Sequence, residues 1–152
     1  MIKKTKHKKT DYSQITNDIY VGTNFCCTAH FDKKLLNLGI TTDISLEETR
    51  LDSPFGVICY LWLPVNDHNA PTYYQFLNGI SCIENAVKTK NNVYVHCKNG
   101  HGRAPTVVAA YLTTQGMTVE EAIALIKSKR PEIHLEQSQL QAIKRFQQDY
   151  DQ

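Results

Sequence analysis

Residues 93–106 read V-Y-V-H-C-K-N-G-H-G-R-A-P-T, and the reactive groups of the chain are concentrated there. A thiol at Cys97 stands six positions before a guanidinium at Arg103. Val93, Tyr94 and Val95 form a β-favouring run. Residues 104–115 predict a helix with Pro105 in its first turn and Gly116 just past its end. Backbone N–H groups point inward at such a strand-loop-helix turn, and with the helix dipole and the guanidinium they stabilise negative charge. The same surroundings favour a thiolate on Cys97 and hold a phosphate dianion, so one loop can carry both nucleophile and substrate.

Spacing alone is a weak signal. Five cysteines and four arginines in 152 residues give some Cys-x5-Arg pair by chance roughly one time in eight. Requiring His directly before the Cys and Gly three positions after it lowers that to about one in several thousand. A buried apolar thiol and an ordinary surface arginine would leave the glycines and the strand-to-helix junction unexplained.

Phosphate monoesters resist attack because their oxygens are negative, so charge stabilisation dominates their catalysis. A free Cys titrates near ~8.5, and electropositive loops lower that to roughly 3.5–7.5. Cys97 is therefore the expected nucleophile. Arg103 is expected to fork two equatorial oxygens, a geometry Lys cannot reproduce. Gly100 and Gly102 let the backbone turn its N–H groups toward the anion. The side chains of Lys98, Asn99 and His101 are expected to point outward and set the rim of the phosphate-binding loop, residues 98–103. His96 is expected to orient the loop instead of transferring a proton. The leaving oxygen needs a proton, and Asp67, in W-L-P-V-N-D-H-N-A-P, is the candidate acid and later base. A turn residue before Pro71 is the plain alternative for Asp67, and His68 is its rival as donor.

The length supports one domain with a full core. A content of 41% hydrophobic and 21% charged residues is that of a soluble globular protein. No apolar stretch approaches ~20 residues, and the charged first ten residues have no apolar region after them, so no secretory signal is expected. Five cysteines (Cys26, Cys27, Cys59, Cys82, Cys97) form no repeating framework. That favours a reducing, cytoplasmic setting. With no Cys-x-x-Cys pair or histidine cluster at ligand spacing, neither metal nor other cofactor is expected. Lys3, Lys4, Lys6, Lys8 and Lys9 crowd the N-terminus, and the rest of the chain carries about −3. Residues 1–10 read as a basic flexible tail, with weak contact to an anionic surface as the sharper reading. No aromatics interleave these lysines, so no stable nucleic-acid complex is expected.

From residue 11 to 152 nothing breaks the chain, which predicts a single catalytic domain. Strands are expected at 19–21, 40–45 and 93–96. A near-continuous apolar run at 57–63 predicts a strand covered on both faces. Helices are expected at 28–38, from Pro71 and Thr72 to about 89, at 104–115, from Thr118 to about Arg130, and from about Glu136. Strands alternating with helices predict an α/β domain with a mostly parallel central sheet flanked by helices. Ligands of such sheets bind at the carboxyl ends of the strands. Cys97 and the segment 64–67 would both lie at those ends, which brings residues 30 apart in sequence together.

With V-H-C-x-x-G-x-x-R at 95–103 and the acid segment upstream, the chain resembles the cysteine-dependent protein tyrosine phosphatase superfamily, in its dual-specificity branch. The likeness includes Ile19-Tyr20-Val21-Gly22, Leu63-Pro64-Val65 and the helix after Arg103. It implies a phosphatase acting through a cysteinyl-phosphate, with Cys97 as nucleophile, Arg103 as phosphate clamp and Asp67 as general acid, and phosphorylated protein or phospholipid as substrate. Two segments, Glu47-Glu48-Thr49-Arg50 and Pro131-Glu132-Ile133-His134, are similar to phosphatases acting on phosphatidylglycerophosphate, although Glu47 and Glu48 read equally as a solvated loop. The family places Ser or Thr after the Arg, where this chain has Ala104, with Thr106 about 200° further round the helix. Slowed hydrolysis of the intermediate is the implied consequence. A protein tyrosine or dual-specificity phosphatase is the first expectation. A lipid phosphatase, a weakly active phosphate-binding module and an RNA 5′-phosphatase stand as alternatives.

Overall fold

The computed structural model describes residues 10–24 and 31–152, so residues 1–9 of the basic tail and Cys26 and Cys27 lie outside the described residues, while Thr10, the tail's last residue, is buried. Chain order is β1 (Tyr12–Gln14), β2 (Ile19–Thr23), α1 (Lys33–Asn37), β3 (Ile40–Ser45), β4 (Cys59–Trp62), α2 (Tyr73–Lys88), β5 (Asn92–Cys97), α3 (Arg103–Thr114), α4 (Val119–Lys129) and α5 (Gln137–Tyr150). The sheet order is β1-β2-β5-β3-β4. β2, β5, β3 and β4 are mutually parallel, and β1 is an antiparallel edge. β5 is therefore central, and it delivers Cys97 between the ends of β2 and β3.

The two sheet faces differ in chemistry. Ile44, Val93, Val95 and Cys97 pack with Ile80, Val107, Ile126, Ile143 and Phe146 of the α2–α5 side in the main core. A smaller cluster on the α1 side joins Tyr20, Phe31, Leu35, Ile40 and Tyr94. Alternation along each strand sends Asp43, Tyr94 and His96 away from the main core, because adjacent parallel residues share a face: Asp43 registers with Tyr94, and Ser45 with His96.

Helix ends follow local chemistry. Thr72 and Thr118 close capping boxes with Gln75 and Glu121. α3 is buried along nearly its whole length, as its unbroken apolar and small composition demands. α4 stops at Arg130, directly before Pro131. Of the helix expected at 28–38, residues 28–30 lie outside the described residues; α1 starts after its N-cap Asp32.

The run at 57–63 is corrected. Among the described residues β4 is the edge of the sheet and pairs only with β3. Cys59 is exposed and Trp62 is 39% exposed. An apolar run records burial of side chains somewhere, not the number of neighbouring strands, so edge and centre read alike.

The segment between β4 and α2 carries Asp67, and both its ends are fixed. Val65 donates to the Leu46 carbonyl at 3.2 Å. The Gln75 side chain, already part of the α2 cap, donates to the Pro64 carbonyl at 2.8 Å. Thr72→Ala should cost about 0.5–2 kcal/mol in urea unfolding. It should also raise amide exchange across residues 66–72; unchanged exchange there would show that the cap does not hold this segment.

Candidate active site

A cleft of about 160 Å³ opens at the carboxyl ends of the strands, lined by Asp67, His68, Cys97, Asn99, His101, Gly102, Arg103, His134, Glu136 and Gln139. The chain folding thus brings Cys97, Arg103 and Asp67 to one place. Cys97, at the end of β5, is 2% exposed, and Arg103, the first residue of α3, is also 2% exposed. Asn99, His101 and Gly102 contribute to the lining. Lys98 is exposed and outside it, and Gly100 is buried behind it.

A guanidinium this buried needs partners on every N–H. Nη1 of Arg103 donates to the Val65 carbonyl at 2.9 Å, to the Leu46 carbonyl at 3.4 Å and to the Glu48 carboxylate. Glu47 Oε1 stands 3.6 Å from the same nitrogen. Nε has no hydrogen-bond partner among the described residues, and Asp67 Oδ1 stands 3.5 Å from it. One edge of the fork is therefore anchored in protein, while Nε, buried beside Asp67, is left without a hydrogen bond in a residue that lines the cleft.

Glu47 and Glu48 are not a solvated loop. Glu47 is buried and accepts from Asn24 Nδ2 at 3.0 Å and Thr49 Oγ1 at 3.2 Å. Partial burial opposes the charge on Glu48, yet its own backbone N–H and the Arg103 guanidinium together hold its carboxyl below the usual range. These residues leave β3 as Asp67 follows β4. The rule that placed residues 64–67 at the strand ends would have found them too.

The loop is held from behind by Arg130, which local motifs do not reveal. This residue is 1% exposed. Its Nε donates to the Gly100 carbonyl at 2.9 Å and its Nη2 to the Asn99 carbonyl at 3.0 Å. Its Nη1 also donates to Ser13 Oγ and its Nη2 to Asp11 Oδ2, both at 3.1 Å. With those carbonyls drawn backward, the loop turns at Gly100, whose φ is +67°. A Cβ there would sit 2.6 Å from the Gly22 carbonyl oxygen. Gln139 was equally silent in the sequence: it is buried, lines the cleft and donates to the Asn69 carbonyl at 3.0 Å, bracing the Asp67 segment.

His96 lies under the loop on the opposite sheet face. Its ring stacks on Tyr94 at 5.2 Å, and its Nε2 stands 3.0 Å from Asp43 Oδ1 and 3.4 Å from Asp52 Oδ2. Burial pushes the Asp43 carboxyl up, with His96 opposing and Asp52 adding to the rise. Asp43, Asp52 and His96 are the one group among the described residues with metal-ligand proximity. An imidazole bridging two carboxylates accounts for their packing, and they face away from the cleft.

Asp67 has a half-exposed side chain and accepts from the His68 backbone N–H at 3.0 Å. His68 adopts φ +66° and directs its Nδ1 to within 3.1 Å of Glu136 Oε1. Thr106, which its position round the helix already made a doubtful substitute for the missing hydroxyl, is committed elsewhere: its Oγ1 donates to the Gly102 carbonyl at 2.7 Å, one helical turn back. Ala104 is fully buried.

Residues 19–149 match the family model described as the dual specificity phosphatase catalytic domain, and the chain belongs to that family of phosphoric monoester hydrolases. It is 35% identical over 80 residues to the dual specificity protein phosphatase Mpk3 of Drosophila melanogaster, covering 51% of this chain and 20% of the relative. It is 34% identical over 89 residues to the phosphatidylglycerophosphate phosphatase PTPMT2 of Arabidopsis thaliana, covering 57% and 39%. The chain thus spans well under two thirds of these relatives. Among solved structures, PTPMT1 in complex with PI(5)P superposes with TM-score 0.78 at 26% identity, over 92% of this chain and 96% of that one. Human DUSP28 superposes with TM-score 0.82 at 19% identity, over 93% and 95%, a likeness of fold.

Two outcomes follow from the geometry. Gly100→Ala should lose about 1–3 kcal/mol of stability and weaken inhibition by inorganic phosphate in the same preparation; unchanged inhibition would separate the turn from anion binding. Glu48→Gln should cost about 1.5–3 kcal/mol. A depressed carboxyl stabilises the fold above its unfolded value, near 4.5, and loses that stabilisation as pH falls through the lower folded value. Urea midpoints from pH 7 to 3 should therefore converge between parent and variant; a constant gap would contradict the ion pair.

Proposed function

We propose that this domain hydrolyses phosphate monoesters without metal, through a cysteinyl-phosphate on Cys97, with phosphotyrosine and mixed phosphoproteins as its first substrate class. The observation that carries this reading is the half-anchored Arg103, whose Nε is left unbonded beside Asp67 and which lines one cleft with Cys97. In the first step Cys97 attacks phosphorus as a thiolate, favoured by the loop N–H groups and the guanidinium. Arg103 takes up two equatorial oxygens as the charge on them redistributes. Asp67 protonates the departing oxygen, then accepts a proton from water as that water attacks the thiophosphate. His96, buried against Asp43 and Asp52, sets the entry of β5 into the loop and exchanges no proton with substrate. Asn99, His101 and Gly102 cradle the anion, Gly100 makes the turn, and Lys98 adds charge at the rim.

A lipid substrate is the second reading, and a specific observation favours it. Both segments that resemble phosphatidylglycerophosphate phosphatases meet at this cleft, Glu48 on Arg103 and His134 in the lining. Among the described residues the lining holds three histidines but no Phe, Tyr or Trp; Tyr73 packs on Phe146 at 5.4 Å instead of walling the cleft. A polyol or hydroxyl-linked phosphate suits such a rim as well as a phenol does.

A panel of phosphotyrosine, phosphothreonine, phosphoinositide, phosphatidylglycerophosphate and 5′-phosphorylated RNA, run in chelator, separates these readings. Turnover of at least one of the first four is expected, and none with Cys97→Ser. Turnover that survives Cys97→Ser would contradict the proposal. Asp67→Asn should lower kcat about 10²–10⁴-fold on an alkyl phosphate, and an unchanged rate would remove Asp67 as the acid. Since Thr106 is engaged with Gly102, Ala104→Ser should raise the steady-state rate by restoring a hydroxyl beside the leaving sulfur; no gain would show that thiolate departure does not limit turnover.

A further inference from the structure

Two cysteines outside the cleft touch each other. Cys59, exposed on β4, and Cys82, half-buried on α2, have their sulfurs 3.8 Å apart and are both reduced. A surface cavity of about 230 Å³ opens beside them, lined by Thr42, Ile58, Cys59, Cys82, Asn85 and Asn91 among others. Sheet register keeps them clear of the catalytic thiol. Cys59 pairs with Thr42, and Thr42 with Val93, four residues before Cys97. That places Cys59 two strands over and about 13 Å further down the sheet, too far for a disulfide to Cys97.

We propose that Cys59 and Cys82 form a reversible disulfide, a redox site separate from the phosphatase chemistry, with a low-molecular-weight disulfide such as oxidised glutathione as the oxidant. The pair is placed to matter. Cys59 lies on the strand that leads into the Asp67 segment, and Cys82 on the helix that leaves it. A bond between residues 23 apart in sequence closes a loop containing the acid, strapping the sheet edge to α2.

The exchange balances in two steps. Cys59 loses its proton to solvent and attacks one sulfur of the glutathione disulfide, expelling a glutathione thiolate. Cys82 then loses its proton and attacks the Cys59 sulfur, expelling the second. Two protein thiols are oxidised by two electrons in all, and one glutathione disulfide becomes two glutathione thiols. Entry falls to Cys59 because it is the exposed thiol. Burial, with the Cys59 charge beside it, pushes the Cys82 thiol up to about 12, so ring closure should accelerate with rising pH.

The test is the full chain equilibrated in glutathione buffers of stepped redox ratio, quenched by alkylation and mapped by non-reducing peptide mass spectrometry. A Cys59–Cys82 cross-linked peptide pair is expected to grow with the oxidised fraction and vanish in dithiothreitol. The thermal midpoint of the same samples should rise by about 5–10 °C. Cys59→Ser and Cys82→Ser, neither of them in the cleft, should each abolish both changes while keeping the reduced parent's activity. Recovery of the two thiols unlinked at every ratio, their linkage to Cys26, Cys27 or a second chain, or a thermal gain that persists in either variant would overturn the proposal.

Discussion

Burying one guanidinium is the constraint from which the rest of this site follows. Arg103 is almost wholly enclosed, and a buried cation without partners is costly. The chain meets that cost with groups just past the ends of two neighbouring strands: the Leu46 carbonyl and Glu48 after β3, and the Val65 carbonyl after β4. Among the described residues only Nη1 is anchored this way. A fork fastened on one side, with Nε left unbonded on the other, is preorganised for the anion proposed above, and preorganisation is where most of the electrostatic advantage of an enzyme site originates.

The remaining architecture keeps Cys97 in the cleft that Arg103 lines. β5, central in the sheet, sets where the sulfur emerges. Arg130 draws the Asn99 and Gly100 carbonyls away from the cleft, and a peptide whose carbonyl points back presents the next N–H forward. Beneath, His96 locks the last turn of the strand to Asp43 and Asp52. Two arginines thus bracket the loop, Arg103 in the cleft lining and Arg130 on the carbonyls behind it. Tolerating a polar layer on the α1 face leaves the other face largely apolar for the helices packed on it.

What could be read before any coordinates was what local order encodes. The Cys97-to-Arg103 spacing, the glycines and the capping boxes at Thr72 and Thr118 involve residues a few positions apart, and each stands where the pattern put it. Asp67 needed one topological step, parallel strands ending on the same side, and that sufficed. The same step reaches Glu47 and Glu48 at the end of β3, but their solvated-loop pattern hides a partner that for Glu48 lies 55 residues away in sequence. Arg130 and Gln139 act through backbone carbonyls 30 and 70 residues away, and no local motif marks such a bond. β1 is three residues long, too short and polar to show a period. The exposure of β4 was hidden because apolar content does not count neighbours.

The central claim is that Cys97 and Arg103 converge on one oxyanion. A crystal structure of the full chain with orthovanadate tests it most directly. The account predicts vanadium bonded to Cys97 Sγ, two equatorial oxygens forked by Arg103 through its Nε edge, and Asp67 facing the apical oxygen while Glu48 stays on Nη1. Vanadate bound elsewhere, or bound at Cys97 with the Arg103 fork turned away from it, would contradict the account.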